Sequence, residues 1–270
     1  MTATQTKQPE TTQDAGVPYR VLQRVILPAE SQRDTVPLYV DGGAASSPLQ
    51  DTMNGKASAQ AAAVAANSGA QVHAEDVVDR RSMTVRPGLR LSFGTYFNAF
   101  PASYWRRWTS LENVRLSVTL EGNGSIIVYK SNAKGALQRV ESQRVTGRET
   151  FTFDLPLKPF GDGGWYWFDL VAGSDPLTLV EASWQGVDHG LPLGQVTLQI
   201  TTMNKPDFCV VNIAALGSSP DSLTNVKELL IVDQGNQKVQ DQEGFEEAAA
   251  LVKGRLRIIN QSNLGGSGGF

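Results

Sequence analysis

The sequence predicts a multidomain β plus α/β chain, in which an antiparallel, jelly-roll-like β-sandwich precedes the first part of a doubly wound, Rossmann-like α/β domain. Between residues 82 and 184, short segments rich in β-branched and aromatic residues recur at regular intervals, as in sandwiches. After residue 190 the pattern changes to alternating strands and helices, as in a parallel sheet. Apolar residues make up 40% of the chain and charged residues 19%, which is a globular balance.

The N-terminal segments differ in composition. Residues 1–20 are rich in Thr, Gln and Pro, which predicts a disordered tail because ordering them would cost entropy with little burial. The runs at 21–28 and 36–40 are rich in β-branched residues and bounded by Pro, Asp or Gly, which predicts two strands. Residues 41–75 are dominated by Ala, Ser and Gly, so a flexible loop is favoured there over a weak helix. The sandwich domain is expected to span 21–190 and to contain this loop.

Alternation of apolar and polar residues, clearest at 115–120, predicts sandwich strands with one buried face. The Gly-rich segments 121–124 and 161–164 predict turns between successive strands. Two aromatic clusters offer rings that could stack on sugars: Tyr104, Trp105 and Trp108, and Trp165, Tyr166 and Trp167. Packing in the core or at an interface is favoured for them, because each ring buries a large area.

The second domain, 191–270, is predicted from five elements in alternation. These are a strand at 196–203, a helix opened by Pro206 and stopped by Gly217, a strand at 227–235, a helix at 243–252 and a strand at 255–260. The middle strand is almost continuously apolar, as expected of a parallel strand covered on both faces.

Polar residues follow each predicted strand of this second domain. In open α/β sheets ligands bind beyond the carboxyl ends of the strands, so these residues are the candidate binding site. A cation, amides and a glycine loop together suit a diphosphate that carries a base and a sugar. The candidates are Thr201, Thr202, Asn204, Lys205, Asp233, Gln234, Gly235, Asn263 and Gly265.

Each candidate also has a simpler interpretation. Lys205 is as readily a solvated loop lysine, and Asp233 with Gln234 precedes a glycine, which also suits a plain turn. Asn263 also suits a cap or turn. The glycines at 265–269 resemble a dinucleotide fingerprint, but such a fingerprint belongs after the first strand, so a nicotinamide oxidoreductase is disfavoured.

Charge and cysteine content exclude several classes of protein. Lys and Arg number 24 against 27 Asp and Glu, a net charge of -3, which gives no positive field for nucleic acid. The single cysteine, Cys209, allows no internal disulfide and no thiolate metal cluster. Neither a secretory signal nor a run of about 20 apolar residues is present in the sequence, which predicts a cytoplasmic location that still allows peripheral contact with the inner face of the cell membrane.

Four segments stand out in order along the chain: FGTYFNAFPASYWRRWT at 93–109, PFGDGGWYWFDL at 159–170, VDQGNQKV at 232–239 and NLGGSGG at 263–269. Together they resemble the polymerising galactofuranosyltransferases of mycobacteria and corynebacteria. The likeness runs from Val21 to Phe270 and is interrupted mainly by the Ala-rich loop.

The resemblance implies an inverting transferase that uses UDP-galactofuranose to extend the lipid-linked galactan of cell-wall arabinogalactan, with alternating β-(1→5) and β-(1→6) links. It implies that residues 191–270 begin a GT-A catalytic domain and that UDP is held at Lys205, Gln234 and Asn263, with Thr202, Asp233 and Gly265 beside them. Lys205 stands where the family has arginine, whose planar fork binds diphosphate bidentately.

The resemblance also implies a divalent cation, Mg²⁺ or Mn²⁺, with its ligands and the catalytic base beyond Phe270. No catalytic residue or metal ligand is therefore predicted in this chain, which alone is expected to be inactive. The alternative is a non-catalytic carbohydrate-binding or assembly module built on the sandwich. The sequence leaves a homo-oligomer open.

Overall fold

The computed structural model of the protein describes residues 18–43, 72–219 and 222–266. Most of the predicted tail and of the Ala-rich loop lies outside these residues. The chain divides after His189 into two compact units, Met1–His189 and Gly190–Phe270. Each unit has its own buried apolar cluster.

The first unit is built from antiparallel strands. Its strands are β1 (Tyr19–Arg24), β2 (Asp41–Gly43), β3 (Met83–Val85), β4 (Arg90–Ser92), β5 (Asn113–Ser131), β6 (Leu137–Pro156) and β7 (Tyr166–Val187). Helix α1 (Ala102–Trp108) and two short 3-10 helices, Glu30–Leu38 and Ala74–Asp76, connect them. The strand order is β2-β4-β7-β5-β6, and β1 and β3 also pair with β7.

The long strands bend so that their two halves form two layers. Tyr166 and Trp184 both belong to β7, yet their ring centroids are only 6.3 Å apart. Eighteen residues of straight strand would separate them by about 60 Å, since a strand rises about 3.3 Å per residue. The strand therefore folds back over itself, and one buried cluster lies between the layers. This confirms the predicted antiparallel, sandwich-like first part.

The predicted turn at 121–124 is a bend inside β5 and joins no hairpin. The β5–β7 pairing shifts between Gly122 and Gly124, where β7 contributes five steps, from Leu177 to Ala172, against two on β5. A Cβ on Gly124 would lie 2.3 Å from the carbonyl oxygen of Val171, so glycine is required where the two backbones approach. Glycine-rich sequence marks a close backbone approach here, which local sequence does not distinguish from a turn.

The strand predicted at 36–40 is wrong, because this run ends a 3-10 helix, Glu30–Leu38. Pro37 lacks the N–H that a strand ladder uses. Val36, Tyr39 and Val40 are buried, which is a helical spacing rather than the alternation of a strand.

The second unit is a three-stranded parallel sheet with two helices. Its elements are β8 (Val196–Thr202), α2 (Pro206–Ser218), β9 (Val226–Asp233), the 3-10 helix Val239–Asp241, α3 (Phe245–Leu251) and β10 (Leu256–Asn260). Strand β9 lies between β8 and β10 and pairs in parallel with both. The elements follow the predicted order; that they begin a GT-A domain stays a prediction.

Across the three described ranges, no helix is long and apolar enough to cross a membrane.

Candidate functional site

The carboxyl ends of the three parallel strands meet at one edge of the second unit. The backbone N–H of Gln234 donates to the carbonyl oxygen of Thr202 at 2.9 Å. The N–H of Gln261 donates to the carbonyl oxygen of Asp233 at 3.0 Å. The loops after β8, β9 and β10 therefore lie side by side, as the parallel arrangement predicts.

Asp233 holds the loop that follows β9. Its side chain is buried, and its Oδ1 accepts from the N–H of Gly235 at 2.9 Å while Oδ2 accepts from the N–H of Val239 at 2.9 Å. Val239 is itself buried in the apolar cluster of this unit. Both carboxylate oxygens are thus engaged by backbone, which favours the turn interpretation of this residue.

Gln234 joins the second loop to the third. Its Oε1 accepts from the N–H of Leu264 at 3.1 Å, and its Nε2 donates to the carbonyl oxygen of Gly265 at 3.3 Å. Gly265 has φ +77°, a backbone conformation that favours glycine. Gln234 therefore fixes the course of the chain after β10.

Asn204 joins the first loop to the second. Its Oδ1 accepts from the N–H groups of Asn236 at 2.7 Å and Gln237 at 3.0 Å. Gly235 lies so close that a Cβ there would be 2.5 Å from the backbone nitrogen of Asn204. Three side chains, those of Asn204, Asp233 and Gln234, thus fix the three loops relative to one another.

These loops enclose an open groove, called here the strand-end groove, of about 710 Å³. Its lining combines one ammonium group with several amides: Met203, Asn204, Gln234, Gly235, Asn236, Lys238, Asn260, Gln261, Ser262 and Asn263. Amides both donate and accept hydrogen bonds, and an ammonium attracts anions. The groove suits a polar ligand that carries negative charge.

Only some of the predicted site residues line the groove. Gln234 and Asn263 line the groove, but Lys205 does not; its Nζ lies 5.6 Å from the ring centroid of Phe208. Thr202 is buried, and its hydroxyl hydrogen-bonds to Cys209. Burial raises the pKa of the Cys209 thiol, and this bond offsets the rise only in part. Gly265 serves as an acceptor for Gln234.

Sequence reasoning missed the lysine that does line the groove, Lys238, together with Asn236 and Asn260. The available signal was position: Lys238 follows the end of β9 by five residues, in the same loop as Gln234. Lys205 lies closer to the end of its strand, which is why the sequence favoured it.

The described part of the chain has no group of three or more His, Cys, Asp or Glu side chains that could hold a metal ion. At the strand ends, the carboxylate of Asp233 already accepts two backbone hydrogen bonds. The residues present therefore do not fit a divalent cation.

The aromatic clusters were expected to pack in the core or at an interface, and three of the six rings lie outside the core. Trp108 is 74% exposed, Tyr104 65% and Trp165 43%. Tyr166 is buried in the core, and Trp105 is partly buried and packs against the core cluster. Trp165 and Trp167 line a cleft of about 910 Å³ on the sandwich unit.

Fold and groove together define a class of protein in which an antiparallel β-sandwich precedes a parallel α/β unit with a polar groove at the strand ends. Residues 55–187 match the family described as galactofuranosyltransferase 2 N-terminal. This match confirms the resemblance to the N-terminal portion of these galactofuranosyltransferases.

The chain is similar to the galactofuranosyltransferase GlfT2 of Mycolicibacterium smegmatis, with 42% identity over 195 residues. It is 39% identical over 195 residues to the galactofuranosyltransferase GlfT2 of Mycobacterium tuberculosis. Each alignment covers 71% of this chain and 30% of the relative, so the chain spans about 30% of the length of these curated relatives.

Likeness to solved structures is weak. The CBM22-1–GH10 modules of Clostridium thermocellum Xyn10B, complexed with xylohexaose, align with a TM-score of 0.29 and 7% identity over 60% of this chain and 33% of that one. A family 29 carbohydrate binding module aligns with a TM-score of 0.25 and 14% identity over 39% and 66%. Scores this low carry no inference about function.

Proposed function

We propose that this chain is the N-terminal part of a galactofuranosyltransferase and that the strand-end groove holds the UDP of UDP-galactofuranose. The observation that carries the proposal is the meeting of three loops at the carboxyl edge of a parallel sheet, with Lys238 and several amides facing one groove. Identity of 42% and 39% to two galactofuranosyltransferases supports the sugar.

In this proposal different residues of the groove contact different parts of the ligand. Lys238 neutralises part of the diphosphate charge, and the amides of Asn236 and Asn263 read the donor and acceptor edges of the uracil or the ribose. Asp233 and Gln234 position the loops and leave direct contact mainly to their neighbours. Lys205, exposed at the start of α2, supplies further positive charge nearby.

The proposed reaction is the inverting extension of a lipid-linked galactan acceptor, with alternating β-(1→5) and β-(1→6) links. Residues 191–270 would then be the start of the GT-A domain. Such a transfer needs a general base for the acceptor hydroxyl and charge stabilisation for the leaving diphosphate. The resemblance assigns part of that stabilisation to a divalent cation, for which the described residues offer no ligand set, so the groove is proposed for nucleotide binding alone.

A second candidate function, a non-catalytic carbohydrate-binding module, is favoured for the sandwich by its exposed aromatic cleft. The two functions occupy different units and are compatible in one protein.

The groove is tested by titrating the chain with UDP in a calorimeter. Lys238→Ala should weaken binding by about 1.5–3 kcal/mol, the range for a lost hydrogen bond to a charged group. Lys227→Ala is the matched control, because Lys227 is exposed near the opposite end of β9. Equal affinities of the two variants, or no saturable binding by the unmodified chain, would refute the groove as a UDP site.

A further inference from the structure

The sandwich unit carries a second concave surface, called here the aromatic cleft, of about 910 Å³. It lies over one face of strands β4, β5 and β7. Along β7 and the residue before it, side chains alternate: Trp165, Trp167 and Asp169 line the cleft, whereas Tyr166 and Phe168 are buried in the core. The cleft is thus built on the outward face of a sheet whose inward face is the core.

Large rings are unusual on an outward sheet face, which is normally polar. Tyr96 is 80% exposed at the cleft, and Trp165 also keeps much of its ring exposed. Trp167 is held in place, since it stacks on Tyr129 with ring centroids 5.7 Å apart. On Gly94 a Cβ would lie 2.9 Å from Cδ1 of Trp167, so glycine there leaves room for the indole. The cleft therefore presents fixed and exposed aromatic faces together.

Beneath these rings lies a buried, partly unsatisfied ion pair. Nε of Arg90 donates to Oδ2 of Asp169 at 2.8 Å, and Nη2 donates to the same oxygen and to the hydroxyl of Tyr129 at 2.9 Å. Asp169 is 2% exposed, and its Oδ1 has no hydrogen-bond partner in the described chain. Buried polar atoms are normally paired, so this carboxylate oxygen marks where a partner is missing.

We infer that the aromatic cleft binds a neutral oligosaccharide. Ligand pockets combine aromatic walls with a few fixed polar groups and enclose about 300–1,000 Å³, and the cleft has all three properties. Aromatic faces take the apolar faces of sugar rings, while the guanidinium of Arg90 can bind a pair of neighbouring hydroxyls.

The charged residues that line the cleft favour a neutral ligand over a nucleotide. Arg90 is the cation among the described lining residues, and Asp41 and Asp169 also line the cleft. An anionic ligand would meet two carboxylates against one paired guanidinium, whereas a neutral glycan would not. A purely apolar partner would leave the ion pair buried without new hydrogen bonds, which is costly. The inference rests on the second candidate function, the carbohydrate-binding module, and specifies its ligand. It does not depend on the proposed transferase function, because no residue of the strand-end groove takes part.

The test titrates the whole chain with a β-galactofuranosyl hexasaccharide and, separately, with cellohexaose. Saturable binding of either is expected, and Trp165→Ala and Tyr96→Ala should each weaken it about tenfold. The matched controls are Trp108→Ala and Tyr104→Ala, exposed rings of α1 outside the cleft, which should keep the affinity. Because Tyr96 is largely exposed, its variant should fold even where Trp165→Ala does not.

Two results would overturn the inference: no binding of either hexasaccharide by a chain with a native melting curve, or equal affinities in the cleft and control variants. Binding of cellohexaose alone would support a glycan site whose specificity is for sugars other than galactofuranose. UDP affinity measured on the same samples reports on the strand-end groove, so failure of one site is distinguished from failure of the other.

Discussion

Removing the carboxylate of Asp233 should release the loop that forms one wall of the strand-end groove. In the folded protein each of its oxygens accepts one backbone N–H, from Gly235 and from Val239, both at 2.9 Å. Asp233→Ala leaves both donors without this acceptor, and Asp233→Asn retains one acceptor oxygen and places an amide NH₂ at the other position.

The expected loss of unfolding free energy follows from the number of hydrogen bonds lost. A hydrogen bond to a charged group contributes about 1.5–3 kcal/mol, so the alanine variant should lose about 3–6 kcal/mol and the asparagine variant about half of that. The upper values hold only if the loop cannot relax and let water reach the freed N–H groups. Val239 is buried, so relaxation there would also expose apolar surface.

The assay combines denaturant unfolding with hydrogen exchange at the amides of Gly235 and Val239. Exchange at both should accelerate in the alanine variant, and UDP affinity should fall with it. Asp241→Ala is the control, since Asp241 is an exposed acidic residue close to the same loop. If Asp233→Ala unfolds within about 0.5 kcal/mol of the unmodified chain, as surface substitutions do, the carboxylate does not hold the loop.

Two further predictions concern the sandwich core. Trp184 is fully buried and stacks on Phe100, with ring centroids 5.1 Å apart. Trp184→Ala should therefore lower the unfolding free energy by about 3–5 kcal/mol, whereas Trp165→Ala, at an exposed ring, should lower it far less. Equal losses in denaturant titrations would contradict this. Burial raises the pKa of Tyr166 to about 12 from 10.0. Above pH 10 the unfolded chain therefore loses this proton first, and stability should fall by about 2–3 kcal/mol as the pH rises through 12. Tyr166→Phe should lose this part of the alkaline dependence in pH-resolved unfolding, and an unchanged slope would refute it.

Much of the second unit follows from local sequence. The residues of β9 are almost continuously apolar and those of α2 begin at Pro206, so both elements are predictable without tertiary information. The meeting of the strand ends follows from parallel pairing. The sequence does not show which lysine lines the groove, because Lys205 and Lys238 both follow strands. Only the packing of the loops brings Lys238 to the groove and leaves Lys205 beside Phe208.

The sandwich shows where local reasoning fails. Segment 121–124 has the composition of a hairpin turn, yet it lies within β5 because the backbone of β7 approaches its glycines at two points. Whether glycine permits a turn or a close crossing is decided by residues far away in sequence, here Val171 and Pro176. The 3-10 helix at Glu30–Leu38 has a similar cause, since Val36 and the nearby Val40 join a core formed mainly by later strands.

One run of six residues, 165–170, connects the core to the aromatic cleft. Strand alternation sends Tyr166, Phe168 and Leu170 inward, where each is at most 1% exposed. The same alternation sends Trp165, Trp167 and Asp169 to the cleft. Because the inward side chains fix the register of β7, they also fix the spacing of the outward ones, so the core determines how far apart the cleft's rings and carboxylate lie. A one-residue slip of β7 would place both tryptophans in the core and expose Tyr166 and Phe168, so folding stability and the geometry of this site depend on the same register.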